Sequence, residues 1–208
     1  MAAPPVMRER RAAARTIVFE IPGFQMKPGI FISEAENMEN ANNMTRLQKL
    51  TFSAMVMALY IVALCLTSSF SFGAYQIRIA TSLYALAYLF PFLVVPLGLA
   101  NLLSNMLFGG FGVADMLGGF LVGVTTAACI VMIRRKNWNR MLIAAPIVFV
   151  PGLGVATYLS YILAIPYPLM ALNLCVGQLI PSVAGVALVK LLERARRLAA
   201  AAEHGGRC

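Results

Sequence analysis

The sequence predicts an all-α membrane protein: a six-transmembrane-helix bundle with both termini cytoplasmic. Three observations carry this. Between Leu50 and Val189 only six residues are charged: Arg78, Asp115, Arg134, Arg135, Lys136 and Arg140. The uncharged runs 50–77, 79–114, 116–133 and 141–189 are each long enough to cross a bilayer, for which a helix needs ~17–25 residues. The basic residues gather beside these runs, at Arg46 and Lys49, from Arg134 to Arg140, and at Lys190, Arg194, Arg196 and Arg197. Such clusters mark the cytoplasmic side of membrane helices.

Composition agrees, with 60% hydrophobic and only 12% charged residues, the balance of a membrane chain rather than a soluble one. The net charge of +9 comes from the flanking clusters and is not a nucleic-acid footprint. Cys65, Cys129, Cys175 and Cys208 are scattered with no CxxC spacing, which suits packing residues better than a disulfide frame or a metal site.

The first element runs from Leu50 to about Phe70 and leaves Thr67 to Ile77 outside. From there the chain must return inside by Arg134, so the crossings between are odd in number, and residues 79–133 have room for three short ones. From Met141 to Val189 the chain starts and ends inside, so two crossings follow. The expected spans are 50–70, 79–94, 96–108, 114–133, 141–163 and 168–190. Pro91 and Pro96 fit a turn between the second and third, since proline disrupts a helix interior. Gly109, Gly110 and Gly112 break the chain before the fourth, and Pro166 and Pro168 before the sixth. Trp138 sits at an inside boundary, where interfacial aromatics concentrate.

Three regions result. Residues 1–45 are expected to be a disordered tail, or untranslated, with Met38 and Met44 as alternative starts to Met1. Residues 46–193 are expected to form the six-helix transmembrane domain, and 194–208 a basic, polar cytoplasmic tail.

Charges near lipid are costly and concentrate at functional positions, which directs attention to Arg78 and Asp115. By parity both lie at the outer face, opening the second and fourth spans. There they offer a donor fork and an acceptor to a ligand; an aspartate opening a helix also serves as an N-cap. Neutral polar residues fall in the same half of the membrane: Asn105, Tyr158, Tyr161 and Asn173, with Gln178 nearer the middle. Ala54 and Ala58 are spaced i, i+4 and share one helical face. Small residues so placed let another helix approach closely, either a partner's or one inside the bundle. Gly119 and Gly123 make a similar pair, read as internal packing.

Several motifs together resemble a known family. The Ala-x-x-x-Ala helix is followed by Tyr75-Gln76-Ile77-Arg78-Ile79-Ala80, by Gly98-Leu99-Ala100-Asn101-Leu102 and by Asp115-Met116-Leu117-Gly118. From Leu47 to Glu193 the chain looks like the QueT-type substrate-binding (S) subunits of energy-coupling-factor (ECF) transporters. The resemblance implies six helices with both termini inside, in a prokaryotic cytoplasmic membrane. It implies a site near the outer face that includes Tyr75, and a docking face at Ala54 and Ala58. The implied partners are an ECF transmembrane coupling subunit and two ABC ATPases, and the implied ligand is a small vitamin-like heterocycle, a queuosine precursor of the 7-deazaguanine class. Two positions depart from the family pattern, which has a glutamate where this chain has Thr81 and a Gly-Glu where it reads Gly177-Gln178. Both departures remove a carboxylate.

Catalysis is not expected, and neither is a cofactor or metal. His204, the only histidine, lies in the polar tail, and a single carboxylate in the bundle provides no acid–base pair. The chain has no GxxxxGK[ST] phosphate-binding loop, so ATP hydrolysis would come from partner chains. The competing expectation is a stand-alone secondary transporter or channel for a small neutral solute.

Overall fold

A computed structural model of the chain describes residues 44–71, 76–109 and 112–205, all within one unit, Met38–Cys208. The tail expected over residues 1–45 lies, apart from Met44 and Thr45, outside the described residues, as does Tyr75. Among the described residues there is no strand. Five helical stretches among these residues are long and apolar enough to cross a membrane: Arg46–Leu66, Pro91–Phe108, Val113–Arg135, Arg140–Leu163 and Tyr167–Leu198. A shorter apolar stretch covers Ile79–Tyr88.

Helix α1 (Arg46–Leu66) opens on a capping box. The Gln48 N–H donates to Thr45 Oγ1 at 3.3 Å, and the Thr45 N–H donates to Gln48 Oε1 at 2.9 Å, which satisfies donors that a first turn leaves orphaned. Its buried residues are Ser53, Val56, Tyr60 and Leu64, a single stripe at helical spacing. Leu50, Met55, Leu59, Val62 and Leu66 face outward, and so do Ala54 and Ala58. A continuous apolar outer face is the mark of a lipid or partner surface. A short helix, α2 (Ser68–Ser71), follows Thr67.

The second element differs most from expectation. Instead of one helix over 79–94, the chain forms a 3-10 helix at Ile79–Ala85, a single turn α3 (Leu86–Leu89), a break at Phe90, and a 3-10 turn at Pro91–Leu93 that leads into α4 (Val94–Phe108). Proline pushes the residue before it out of the helical region, and Phe90 accordingly has φ −130° and ψ 84°. The turn therefore falls at Phe90–Pro91. Pro96 sits in the first turn of α4 rather than in the connection, at a depth where the missing N–H costs little. Arg134 donates to Tyr88 O, and to Leu89 O at 2.8 Å, taking up carbonyls that the interrupted helix leaves over.

These contacts orient the segment. At the Phe90 break, Arg196 lies over the Phe90 ring at 4.7 Å and Lys49 over the Phe92 ring at 6.0 Å, so the break is at the basic end of the bundle. The other end starts at Arg78, beside Asn101 and Asn105. Ile79–Leu89 thus reaches between the two ends in few residues. A 3-10 helix rises ~2.0 Å per residue against ~1.5 Å in an α-helix, so a short segment covers roughly 20 Å.

The remaining helices are α5 (Val113–Arg135), α6 (Ala144–Leu163) after a 3-10 turn at Arg140–Ile143, α7 (Tyr167–Gly177) and α8 (Leu179–Gly205). Gly112 precedes α5 at φ +75°, a conformation open to glycine and strained for other residues. The expected last span, 168–190, is interrupted at Gln178. Helix α4 packs on α5, α6 on α7, and α8 on the 3-10 segment. Tyr60, Tyr84, Leu93, Leu97, Ile130 and Ile147 form the centre of the core, each fully buried. At the basic end Arg140 pairs with Glu193 at 2.7 Å.

Candidate ligand-binding site

Arg78 is only 5% exposed although it is charged. Its guanidinium donates to Asn101 Oδ1 at 3.2 Å and to Asn105 Oδ1 at 2.9 Å. The two asparagines are four residues apart on α4 and present one face. Arginine has donors only, so both carboxamides must turn their oxygens toward it and their NH2 groups away. Asn105 Nδ2 then donates to Asp115 O at 2.9 Å and Oδ1 at 3.3 Å, and Asn101 Nδ2 donates to Gly119 O at 2.7 Å. Tyr158 completes the set, its hydroxyl donating to Asp115 Oδ1 at 2.9 Å. A cation and an anion are thereby joined through an oriented amide, in surroundings where polar groups are costly to leave unpaired.

Asp115 is the third residue of α5, and the cap position belongs to Gly112, which makes no side-chain cap bond. The carboxylate therefore works sideways, toward α4 and α6, in a first turn where negative charge is favoured. Its Oδ2 is buried with no hydrogen-bond partner among the described residues. Two glycines open the space for this arrangement. A Cβ on Gly118 would come within 2.6 Å of the Tyr158 ring, and one on Gly119 within 2.4 Å of Asn105 Nδ2. The Gly119–Gly123 pair packs inside the bundle, a Cβ on Gly123 meeting Gly98 Cα at 3.1 Å.

Next to Arg78 a second polar contact joins elements distant in sequence. Thr81 Oγ1 donates to Gln178 Oε1 at 2.7 Å, and Gln178 Nε2 donates to Gln76 O at 3.4 Å. Gln76 has a left-handed backbone, φ +43°, of the kind that collects at functional sites. Gln76, Arg78, Thr81, Tyr84, Asn101 and Gln178 form the polar wall of a cavity whose apolar wall is Val122, Pro151, Val155 and Leu174. Its volume is about 10 Å³, room for roughly one water. A heterocycle enters only if the walls move apart.

Of the residues the sequence nominated, Arg78, Asn105, Asp115 and Tyr158 come together in one network, and Gln178 lines the adjoining cavity. Tyr161 is 90% exposed and stands apart from both. Asn173 is half-buried and does not line the cavity. Asn101, Gln76 and Tyr84 were not nominated. Asn101 had a signal, lying one helical turn from Asn105; Tyr84 reads as an ordinary core aromatic and gave none.

The network, its position at the end of the bundle away from the basic residues, and the apolar helices now stand beside a direct comparison. Residues 50–194 match the sequence model of the QueT transporter family. The chain belongs to the QueT transporter family. The QueT match reaches into each of these long apolar helices and takes in every residue of the polar network. It makes this chain a multi-pass membrane protein of transport rather than of catalysis. No curated protein and no solved structure matches the chain.

Proposed function

We propose that this chain is the substrate-binding subunit of an ATP-driven ECF importer in a prokaryotic cytoplasmic membrane, capturing a queuosine precursor, a 7-deazaguanine base, at its outer face. The observation that carries the reading is the buried Arg78–Asn105–Asp115 network. It gathers the isolated charges of the bundle at one end, next to a cavity with amide and hydroxyl groups on its wall. Bases of this class present fused amide and amidine edges, for which guanidinium and carboxamide groups are complementary donors and acceptors.

Ile79–Leu89 counts as the sixth crossing, short because it is wound as 3-10 helix, and both termini are then cytoplasmic. Ala54 and Ala58 lie on an exposed face of α1, which favours their role as the docking surface for the transmembrane coupling subunit. Two ABC ATPases would supply the energy.

Ligand identity is tested by purifying the chain and analysing what co-purifies by mass spectrometry, followed by calorimetric titration with 7-deazaguanine bases. Micromolar or tighter binding is expected. Absence of binding to every base of the class would reject the ligand. Uptake by vesicles holding the purified chain alone, with no partner subunits, would make it a stand-alone carrier instead.

A further inference from the structure

The cavity wall carries one formal charge among the described residues, the positive one of Arg78. Its other polar groups, on Gln76, Thr81, Tyr84, Asn101 and Gln178, are neutral. The carboxylate of the network is turned elsewhere: Asp115 does not line the cavity, its Oδ1 receives Asn105 and Tyr158, and its Oδ2 points at Gly109, within 2.6 Å of where a Cβ there would stand.

Among the described residues, a ligand in this space therefore meets positive charge and neutral dipoles. A cationic group would be stripped of water next to Arg78, on a wall whose other described groups are neutral, and burying an unpaired charge is strongly unfavourable. A neutral planar base loses nothing comparable, since Gln178, Gln76 and Asn101 each offer a donor or an acceptor to its edge.

We propose that the site selects an uncharged base over one with a cationic arm, and that Gln178, as an amide rather than an acid, sets this preference. The inference rests on the ligand-capture reading above and deepens it. Two probes separate them: the 7-deazaguanine base carrying a neutral 7-cyano group, and the same base carrying a 7-aminomethyl group, an amine protonated at pH 7 as a lysine is. Titrated into the purified full chain, the cyano base should bind about tenfold or more tighter than the aminomethyl base, the order of effect of one unpaired charge. Gln178→Glu keeps the side chain's shape and adds a carboxylate, so the gap should narrow by about tenfold or reverse. Thr81→Glu, from the facing side, should act in the same direction. Equal affinities, or tighter binding of the aminomethyl base by the unaltered chain, would overturn the inference and point to Asp115 as a cation acceptor, leaving ligand capture intact. Failure of both probes to bind would overturn the ligand reading, and this inference with it.

Discussion

Thr81 and Gln178, 97 positions apart in the chain, share a buried hydrogen bond of 2.7 Å. It ties the 3-10 segment to the interruption between α7 and α8. They are also the two positions at which the resemblance implies a glutamate, so the two expected acids would fall on one contact. Glutamates at both would place like charges side by side. A hydroxyl and an amide are mutually satisfied there without any charge.

That bond should be measurable in the unliganded protein. Thr81→Val keeps the shape and removes the donor, leaving Gln178 Oε1 short of its partner, and should cost ~1 kcal/mol or somewhat more. Thr81→Ser should restore most of the loss. Thermal unfolding in detergent compares the three, and a valine variant as stable as the parent would show the contact to be energetically idle.

Arg78 and Asp115 act through Asn105, which predicts non-additivity. Arg78→Ala and Asp115→Ala should each weaken ligand binding by ~1.5–3 kcal/mol, about tenfold to a hundredfold. The double variant should lose less than the sum, by ~0.5–3 kcal/mol, as expected for residues in one network. Unchanged affinity in both single variants would remove them from the site.

Gly119→Ala probes the same network from behind. The new methyl would lie 2.4 Å from Asn105 Nδ2, so Asn105 must shift from its place between Arg78 and Asp115. Stability should fall by ~1–3 kcal/mol, and ligand affinity should fall with it. Loss of stability with affinity intact would separate Asn105 from binding.

The exposed face of α1 predicts a variant with the opposite profile. Ala54→Leu with Ala58→Leu adds bulk on the open side of a helix that stays apolar and helix-favouring. Melting temperature and ligand affinity should hold, while co-purification of the coupling subunit and ATPases should fail. Partner recovery at the unaltered yield would exclude this face as the contact.

Orientation has its own test. Single cysteines at Trp138 and Ile165, both accessible, in a background lacking Cys65, Cys129, Cys175 and Cys208, should react with impermeant reagents from opposite sides of the membrane. Reaction of both from one side would overturn the parity assignment.

Much of this was legible in the sequence because charge is so scarce. Arg78 and Asp115 stood out against long uncharged runs, and glycine and proline marked the breaks before α5 and α7. What periodicity could not convey was the winding of Ile79–Ala85. Ala80, Thr81, Leu83, Tyr84 and Ala85 are all buried, so the segment has no polar face and no period to read. The exposure of Tyr161 was hidden for a related reason. In lipid an exposed tyrosine and one turned inward look alike in a sequence, and only Tyr158 finds an acid. Gln178 was visible as a polar residue, but its partner depended on where a distant helix is interrupted.

The 3-10 winding has a mechanical consequence. A coil of three residues per turn holds length in reserve: rewinding Ile79–Ala85 as α-helix would shorten it by ~0.5 Å per residue, roughly 3–4 Å in all. One end of that coil is Arg78, in the ligand network. The other leads to the Phe90 break, where Lys49, Arg134 and Arg196 converge at the foot of α1. A change of pitch in seven residues would therefore be felt as a displacement at the far side of the protein, without a hinge and without unfolding a single helix.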